Sequence, residues 1–176
     1  MATIYTIGHS TRTLDELISA LKAHGIRTLI DIRAFPASRR LPHFNREPLT
    51  AALTTAGIGY LWEKRLGGYR KKVLADSPNV ALRNQSFRNY ADYMLSGEFQ
   101  QAIDELIAHA GQEGGAIMCA ERLWFRCHRM LVSDWLVAHG HTVLHIDGIG
   151  PLSQHRLTPE AQLEGRNVIY REKCLF

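Results

Sequence analysis

Short apolar runs alternate with segments of helical periodicity along this chain, and that alternation limits most strongly how it can fold. The runs with the length and composition of strands are residues 3–7, 28–32, 60–62, 117–119 and 142–146. The helical patterns cover residues 14–21, 48–56, 87–95, 99–109 and 128–139. Strands separated by helices favour a mainly parallel sheet that is covered on both faces. We therefore predict a single α/β domain over residues 1–176, with about five strands in Rossmann-like or flavodoxin-like layering.

The first helix carries recognisable end signals. Ser10 or Thr13 can cap its N-terminus, because a short side-chain oxygen can accept a hydrogen bond from a free backbone N–H. Gly25 is placed to end it. The sequence leaves open which of the two polar residues is the cap.

Two parts of the chain lack a regular pattern. Residues 64–85 are rich in glycine, serine and basic side chains. Loops of this length in compact domains tend to be functional or disordered, so we predict a basic flap here, which could be mobile. The C-terminal extension, from about residue 150 to residue 176, shows a strand-like pattern only at residues 167–170.

The composition favours a soluble globular protein over a membrane protein or a disulfide-rich secreted one. The 176 residues, 45% of them hydrophobic, suit one soluble domain with a full core. No apolar run is long enough to cross a bilayer, the N-terminus shows no signal peptide, and three cysteines do not suggest a disulfide framework. We expect a cytoplasmic protein with no membrane partner. The net charge of +4 is too small for a strong nucleic-acid binder, although clustered basic residues could still form an anion site.

Residues 119–129 form the segment with the highest density of potentially reactive side chains. They contain two thiols, a carboxylate, an imidazole and guanidinium groups between a predicted strand and a predicted helix. Loops at the carboxyl ends of strands are where α/β folds bind ligands. The segment therefore predicts the position of a site, but it does not identify the substrate.

Polar side chains also follow the other predicted strands. In a parallel sheet the carboxyl ends of the strands share one edge, so these side chains should converge there. The predicted catalytic residues are His9, Asp31, Cys119, Glu121 and His128. Each has a structural alternative: Asp31 could simply pair with Arg33, for example. His145, inside an apolar run, is expected to be a hydrogen-bonded core residue.

Cys119 admits three interpretations, which the sequence leaves open. It could be a nucleophile whose pKa is lowered by a following helix and by arginines. It could bind metal together with Cys127, His128 and perhaps His9, although no Cys-x2-Cys pair is present, and no metal ligands are assigned. It could also be a buried, inert cysteine. The spacing from Cys119 to Arg126 does not match the Cys-x5-Arg loop of phosphatases.

Arginines and one tryptophan supply candidate ligand contacts. Arginine can hold a phosphate or carboxylate with two parallel hydrogen bonds, and an exposed tryptophan can stack on a base. A residue in the first turn of a helix adds free N–H groups that favour an anion. The predicted ligand-binding residues are Ser10, Arg33, Arg39, Arg40, Arg129 and Trp124.

Several separate motifs resemble those of a bacterial and archaeal family, domain of unknown function 488. The matching pieces are residues 5–10 (YTIGHS), 31–33 (DIR) with Pro36 and Ser38-Arg39, 44–45 (FN), 66–68 (LGG), 119–121 (CAE) and 127–129 (CHR). Their order and spacing agree from the first strand to the helix after Cys127. The resemblance implies a compact α/β domain whose motifs gather in one cleft, and it implies no particular activity. Residues 123–125 are less polar here than is usual in the family, and Ala34 stands where serine is frequent.

Our functional hypothesis is a small enzyme or ligand-binding protein that acts on an anionic, phosphate-bearing substrate. A nucleotide or a nucleic-acid end would fit, in a cleft at the carboxyl edge of the sheet. The alternative is a non-catalytic nucleic-acid-binding module that uses the basic flap, and a third, weaker option is a zinc-binding protein. Whether the protein is an enzyme, its cofactor and its oligomeric state stay open.

Overall fold

The computed structural model describes residues 1–172, with the backbone alone described at residues 112 and 113. The strands are β1 (Thr3–Gly8), β2 (Thr28–Asp31), β3 (Gly59–Trp62), β4 (Gly115–Cys119), β5 (Thr142–Ile146), β6 (Ser153–Gln154), β7 (Ala161–Glu164) and β8 (Asn167–Tyr170). The helices are α1 (Leu14–Ala23), α2 (Arg46–Thr55), α3 (Gln85–Tyr93), α4 (Gly97–Glu113) and α5 (Arg129–Ala138). Short 3₁₀ turns cover Pro42–Phe44, Lys64–Leu66 and Trp124–Arg126. Among the helices of residues 1–172, none has the length and apolarity that crossing a bilayer requires.

The strands form one mainly parallel sheet and a separate hairpin. The sheet has the order β3-β2-β4-β1-β5-β6; the first five strands are parallel and β6 is antiparallel to β5. β7 and β8 pair with each other. The predicted α/β class and its five parallel strands are confirmed. The pattern at residues 167–170 is β8, whereas β6 has two residues and is too short to leave a pattern in the sequence. The last four residues of the predicted extension lie outside the described part of the chain.

The sheet contributes side chains to two hydrophobic cores, one on each of its faces. Because successive side chains of a strand point to opposite faces, Ile30 and Ile117 pack with the helices α3 to α5, while Leu29 and Met118 pack with α1 and α2. This confirms the prediction that helices cover both faces. The same alternation assigns Cys119 to the α3–α5 face and Asp31 to the opposite face.

Thr13, and not Ser10, caps α1. Its side chain accepts a hydrogen bond from the backbone N–H of Glu16 at 3.1 Å, and the Glu16 carboxylate accepts one from the N–H of Thr13 at 2.9 Å. This reciprocal capping box satisfies two N–H groups that the first turn would leave unpaired. The helix ends before Gly25, whose φ of +68° is the left-handed conformation that glycine adopts without strain.

The predicted basic flap is hydrogen-bonded near its start and again at Asn79. The hydroxyl groups of Tyr90 and Tyr93 donate to the backbone carbonyls of Leu66 and Arg65, each at 2.8 Å. Farther along, the buried Asn79 accepts a hydrogen bond from the backbone N–H of Tyr170 at 3.0 Å. Between these anchors the chain has no helix or strand, and residues 71–73 are exposed.

The end of β1 lies directly against the loop that follows β4. The backbone N–H groups of His9 and Ser10 donate to the carbonyls of Cys119 and Ala120, both at 2.9 Å. A β-carbon at Gly8 would lie 1.9 Å from the carbonyl oxygen of Glu121, which is far closer than any real contact. Glycine is therefore required at this position by the approach of two backbone segments.

We predict that Gly8→Ala destabilises the protein by about 1–3 kcal/mol or more, because neither backbone can move without disturbing the sheet. Gly97→Ala is the matched control, since a β-carbon there meets nothing within 4 Å. Urea denaturation of both variants measures the free energy of unfolding. Equal stabilities for the two variants would contradict the close approach described here.

Candidate functional site

An open pocket of about 440 Å³ lies at the carboxyl edge of the sheet, beside the loop after β4. Its chemically active lining comprises Cys119, Glu121, Arg126, Cys127 and His128, and its remaining lining residues are Gly68, Ser86, Phe87 and Ala120. A strand end, a loop and a helix N-terminus supply the first set, as expected for an α/β site. Three of the predicted catalytic residues thus share one pocket.

Two sulfur atoms and one imidazole nitrogen form the centre of this pocket. Nδ1 of His128 is 3.5 Å from Sγ of Cys127 and 3.9 Å from Sγ of Cys119. The three atoms lie within 4.8 Å of one another. The eight-residue separation of the cysteines in sequence is closed by the 3₁₀ turn Trp124–Arg126, which returns the chain to the end of β4.

The imidazole of His128 is fixed in one tautomer. Its Nε2 lies 3.1 Å from the backbone carbonyl of Ile32, which can only accept a hydrogen bond, so Nε2 carries the proton. In the neutral ring Nδ1 then presents a lone pair to the two sulfur atoms. The ring is also packed against Tyr90, with centroids 5.2 Å apart.

The two thiols influence each other's acidity. The proximity of the two thiols lowers the pKa of Cys127 well below its ordinary value, against the opposing effect of burial, and the neighbouring His128 and Arg129 contribute. The same proximity, together with burial, raises the pKa of Cys119. The pair therefore favours one thiolate and one thiol.

A second polar cluster lies on the opposite face of the sheet. Arg33 and Asp31 form a buried ion pair, with an N–O distance of 2.6 Å, and the hydroxyl of Tyr60 donates to Asp31 at 2.7 Å. Arg33 also lies 3.3 Å from Nε2 of His9, whose ring stacks on Phe44. Burial lowers the pKa of His9 to about 4, so its ring is neutral near pH 7. The side chains of His9 and Asp31 thus lie apart from the thiols: the backbone of His9 adjoins that of Cys119, but its imidazole packs against Arg33 and Phe44 and is not placed with the three possible metal ligands.

Arg129 is buried, and its guanidinium donates mainly to backbone carbonyls. Its guanidinium donates to the carbonyl of Glu121, to that of Arg122 at 3.1 Å, and to the hydroxyl of Thr6 at 3.3 Å. A group that is 1% exposed and donates to these acceptors is not oriented toward a ligand in the pocket. Neither Arg129 nor Arg33 pairs with Glu121, whose carboxylate instead accepts the backbone N–H of Leu123 at 3.1 Å.

The remaining predicted ligand contacts are spread around the site. Arg39 and Arg40 are exposed on the loop after β2, and Ser10 has a φ of +48° where β1 meets the loop. Trp124 is stacked on His145 with ring centroids 4.3 Å apart, so one face of its indole is already covered. The predicted catalytic and ligand-binding residues did not include Cys127, Arg126 and Gly68, and Cys127 was considered only as a metal ligand beside Cys119. The density of reactive residues at 119–129 could have indicated the first two, whereas no local pattern indicates Gly68.

A chain of buried hydrogen bonds leads away from Arg129. The hydroxyl of Thr6 lies 2.7 Å from Nδ1 of His145, and Nε2 of His145 lies 3.0 Å from Nδ1 of His155. Nε2 of His155 is in turn 2.9 Å from the carboxylate of Asp134. With both histidines neutral, every donor faces an acceptor from the arginine to the aspartate. His145 is accordingly the hydrogen-bonded core residue that the sequence predicted.

We predict that Arg33→Met destabilises the protein by about 3–5 kcal/mol, because it leaves the fully buried carboxylate of Asp31 without its cation. Arg39→Met, at an exposed position, should change stability by no more than about 0.5 kcal/mol. Chemical denaturation of both variants provides the measurement. A small effect for Arg33→Met would show that the ion pair is replaceable.

Stability should also fall as the pH drops below 6.5, in part because of His145. Burial, with the charges of His155 and Arg129, lowers the pKa of His145 from 6.5 to about 3. Between those values the unfolded chain binds a proton at this residue and the folded chain does not, so acidification favours unfolding. His145→Asn should reduce the dependence of the unfolding free energy on pH by up to about 1.4 kcal/mol per pH unit. His109→Gln, an exposed control, should leave the dependence unchanged; the same loss in both variants would contradict the assignment to His145.

Comparison with known proteins identifies the same family that the sequence motifs resemble. No curated protein and no solved structure matches the chain. The family model described as "Domain of unknown function DUF488" matches residues 13–136, which include β2 to β4 and most of α5. The matched range covers more than half of the chain, and it contains the thiols, the histidine and the buried arginines of both clusters. The protein therefore belongs to the DUF488 family.

Proposed function

We propose that this protein is a small enzyme that acts on a phosphate-bearing substrate, a nucleotide or a nucleic-acid end, in the pocket beside β4. The observation that carries the proposal is the pocket's lining: two thiols, an imidazole, a carboxylate and a guanidinium around one opening. Reactive groups gathered in one concave site at the carboxyl edge of the sheet are the expected form of an α/β active site.

The attraction for an anion would come from exposed cations and not from the buried arginines. Arg126 lines the pocket itself. Lys64, Lys71 and Lys72 are exposed, and within residues 1–172 they form no ion pair. Cations that are not already neutralised can attract a phosphate, whereas Arg33 and Arg129 are occupied by partners of the fold.

A neighbouring pair of exposed aromatic rings supports a substrate that carries a base. Phe35 and Tyr69 are 70% and 71% exposed, and their ring centroids are 6.4 Å apart. They line a second pocket of about 300 Å³ together with Lys64 and Arg70. Bases stack on exposed aromatic side chains with little dependence on sequence. Gly67 lines this second pocket and Gly68 the first, so the two pockets are adjacent.

Turnover tests the catalytic part of the proposal. We expect the protein to convert at least one member of a panel of nucleotides and end-phosphorylated oligonucleotides. Cys119→Ser and Glu121→Gln should each lower that turnover, whereas the exposed control His109→Gln should not. Unchanged turnover in both pocket variants would show that the reaction takes place elsewhere.

Binding tests the substrate class separately. The double variant Phe35→Ala/Tyr69→Ala should weaken the binding of a short single-stranded oligonucleotide by about tenfold or more, since each stacked base contributes about 1–3 kcal/mol. Phe125→Ala removes an exposed ring outside both pockets and is the matched control. Equal affinities for the two variants would contradict a stacking role for Phe35 and Tyr69.

The second candidate function is a non-catalytic nucleic-acid-binding module, which the exposed lysines of the basic flap favour. Its affinity should fall steeply with salt, because each neutralised phosphate releases counterions. A mononucleotide in the enzyme's pocket should show a shallow salt dependence. Binding that grows with oligonucleotide length and falls steeply with salt, without turnover, would favour the module over the enzyme.

A further inference from the structure

Nδ1 of His128 lies from the sulfur atoms of Cys119 and Cys127 at distances close to those between two ligands of a tetrahedral metal ion. Zn²⁺ bonds of about 2.3 Å to sulfur and about 2.1 Å to nitrogen separate a sulfur from a nitrogen by about 3.6 Å in a tetrahedral site. The two sulfur–nitrogen distances here are 3.5 and 3.9 Å, and all three atoms lie within 4.8 Å of one another. Two sulfur ligands of a tetrahedral zinc ion lie about 3.8 Å apart, so binding would require the two sulfur atoms to approach each other by no more than about 1 Å.

Outer contacts orient these atoms as they do in metal sites. A metal-binding histidine usually donates its other N–H to a carbonyl or carboxylate, which fixes the ring. His128 does this through Nε2 to the carbonyl of Ile32, at 3.1 Å. The backbone N–H of Arg129 also points to Sγ of Cys127 at 3.5 Å, a contact that stabilises negative charge on sulfur.

Gly68 allows the imidazole of His128 to lie against the backbone. A β-carbon at this position would lie 2.4 Å from Nδ1, 2.8 Å from Cγ and 3.0 Å from Cε1, so it would overlap the face of the ring. The φ of Gly68 does not lie in the left-handed region, so its backbone does not require glycine. What glycine provides here is room for the ring in the position that brings Nδ1 to the two sulfur atoms.

We propose that Cys119, Cys127 and His128 bind one Zn²⁺ ion, with its fourth coordination position facing the pocket. Thiolate and imidazole ligands select zinc over magnesium and calcium, which prefer oxygen. Three protein ligands and one open position are the arrangement of catalytic zinc sites, whereas structural sites use four protein ligands. The inference deepens the proposed function and rests on it for the role of the pocket, but its test requires no substrate.

Metal analysis of the full-length protein, purified without a histidine tag, is the direct test. We expect one zinc ion per chain, and after exchange for Co²⁺ the intense visible absorption and sulfur-to-cobalt charge-transfer bands of a tetrahedral thiolate site. Cys119→Ser, Cys127→Ser and His128→Gln should each lower the zinc content, and His109→Gln should not. The cobalt spectrum of the wild-type protein does not depend on whether these variants fold.

Gly68→Ala tests the placement of the His128 ring while retaining all three ligands, because the added β-carbon would displace the imidazole. We expect the dissociation constant for zinc, measured against a competing chelator, to rise by at least about tenfold, the size of effect seen when the surroundings of a metal site are disturbed. Gly97→Ala is the matched control, because a β-carbon there meets nothing within 4 Å. Equal zinc affinities for the two variants would overturn the role given to Gly68 and, with it, the coordination geometry.

Two further results would overturn the inference. One is a reduced protein that contains no stoichiometric metal and gives no cobalt spectrum. The other is a metal-free protein in which Cys119 and Cys127 form a disulfide and cycle as a redox pair. Either result, combined with turnover in the pocket, would leave the proposed function standing. One bound ion without any turnover or nucleotide binding would do the reverse, so the two proposals fail separately.

Discussion

The buried guanidinium of Arg129 is the constraint on which the rest of the site depends. A buried charge needs hydrogen-bonded donors, and here the terminal nitrogens donate to the loop after β4 and to Thr6 of β1, while the buried Nε has no partner within residues 1–172. Arg129 is also the first residue of α5. One side chain therefore ties a strand, a loop and a helix together, and displacing any of them would leave the charge without an acceptor. Cys119 ends β4 before the loop that Arg129 contacts, and His128 directly precedes Arg129 at the start of α5.

The site is built on two faces of one sheet edge, with different chemistry on each. On one face Asp31, Arg33 and Tyr60 satisfy one another in a buried network, which suits a structural role. On the other face Cys119 and His128 face an open pocket. The difference lies in solvent access and in whether the polar atoms already have partners. A group whose hydrogen bonds are satisfied inside the fold has little to offer a ligand.

The two glycines of the Leu-Gly-Gly motif connect the proposed functions. A β-carbon at Gly67 would lie 2.8 Å from Cα of Ala34, and one at Gly68 would press on His128. The chain can pass between the end of β2 and the imidazole only because neither residue has a side chain. This passage lets the His128 ring pack against the backbone on one side and positions Tyr69 beside Phe35 on the other. Substrate recognition and the proposed zinc centre would thus both depend on the backbone of residues 67–69.

The sequence by itself determined the layers of this protein. Apolar runs and helical periodicity report burial directly, so five strands and five helices could be located, and so could the segment 119–129 that carries the pocket's reactive residues. What only the tertiary structure decided is which polar groups meet. The strand ends do converge at one edge, but Asp31 and Cys119 point to opposite faces, and two of the four arginines expected to bind an anion are used by Asp31 and by backbone carbonyls. The contact between Gly68 and the His128 ring likewise depends on residues 60 positions apart. Such pairings are set by distances across the fold, and a local pattern carries no information about them.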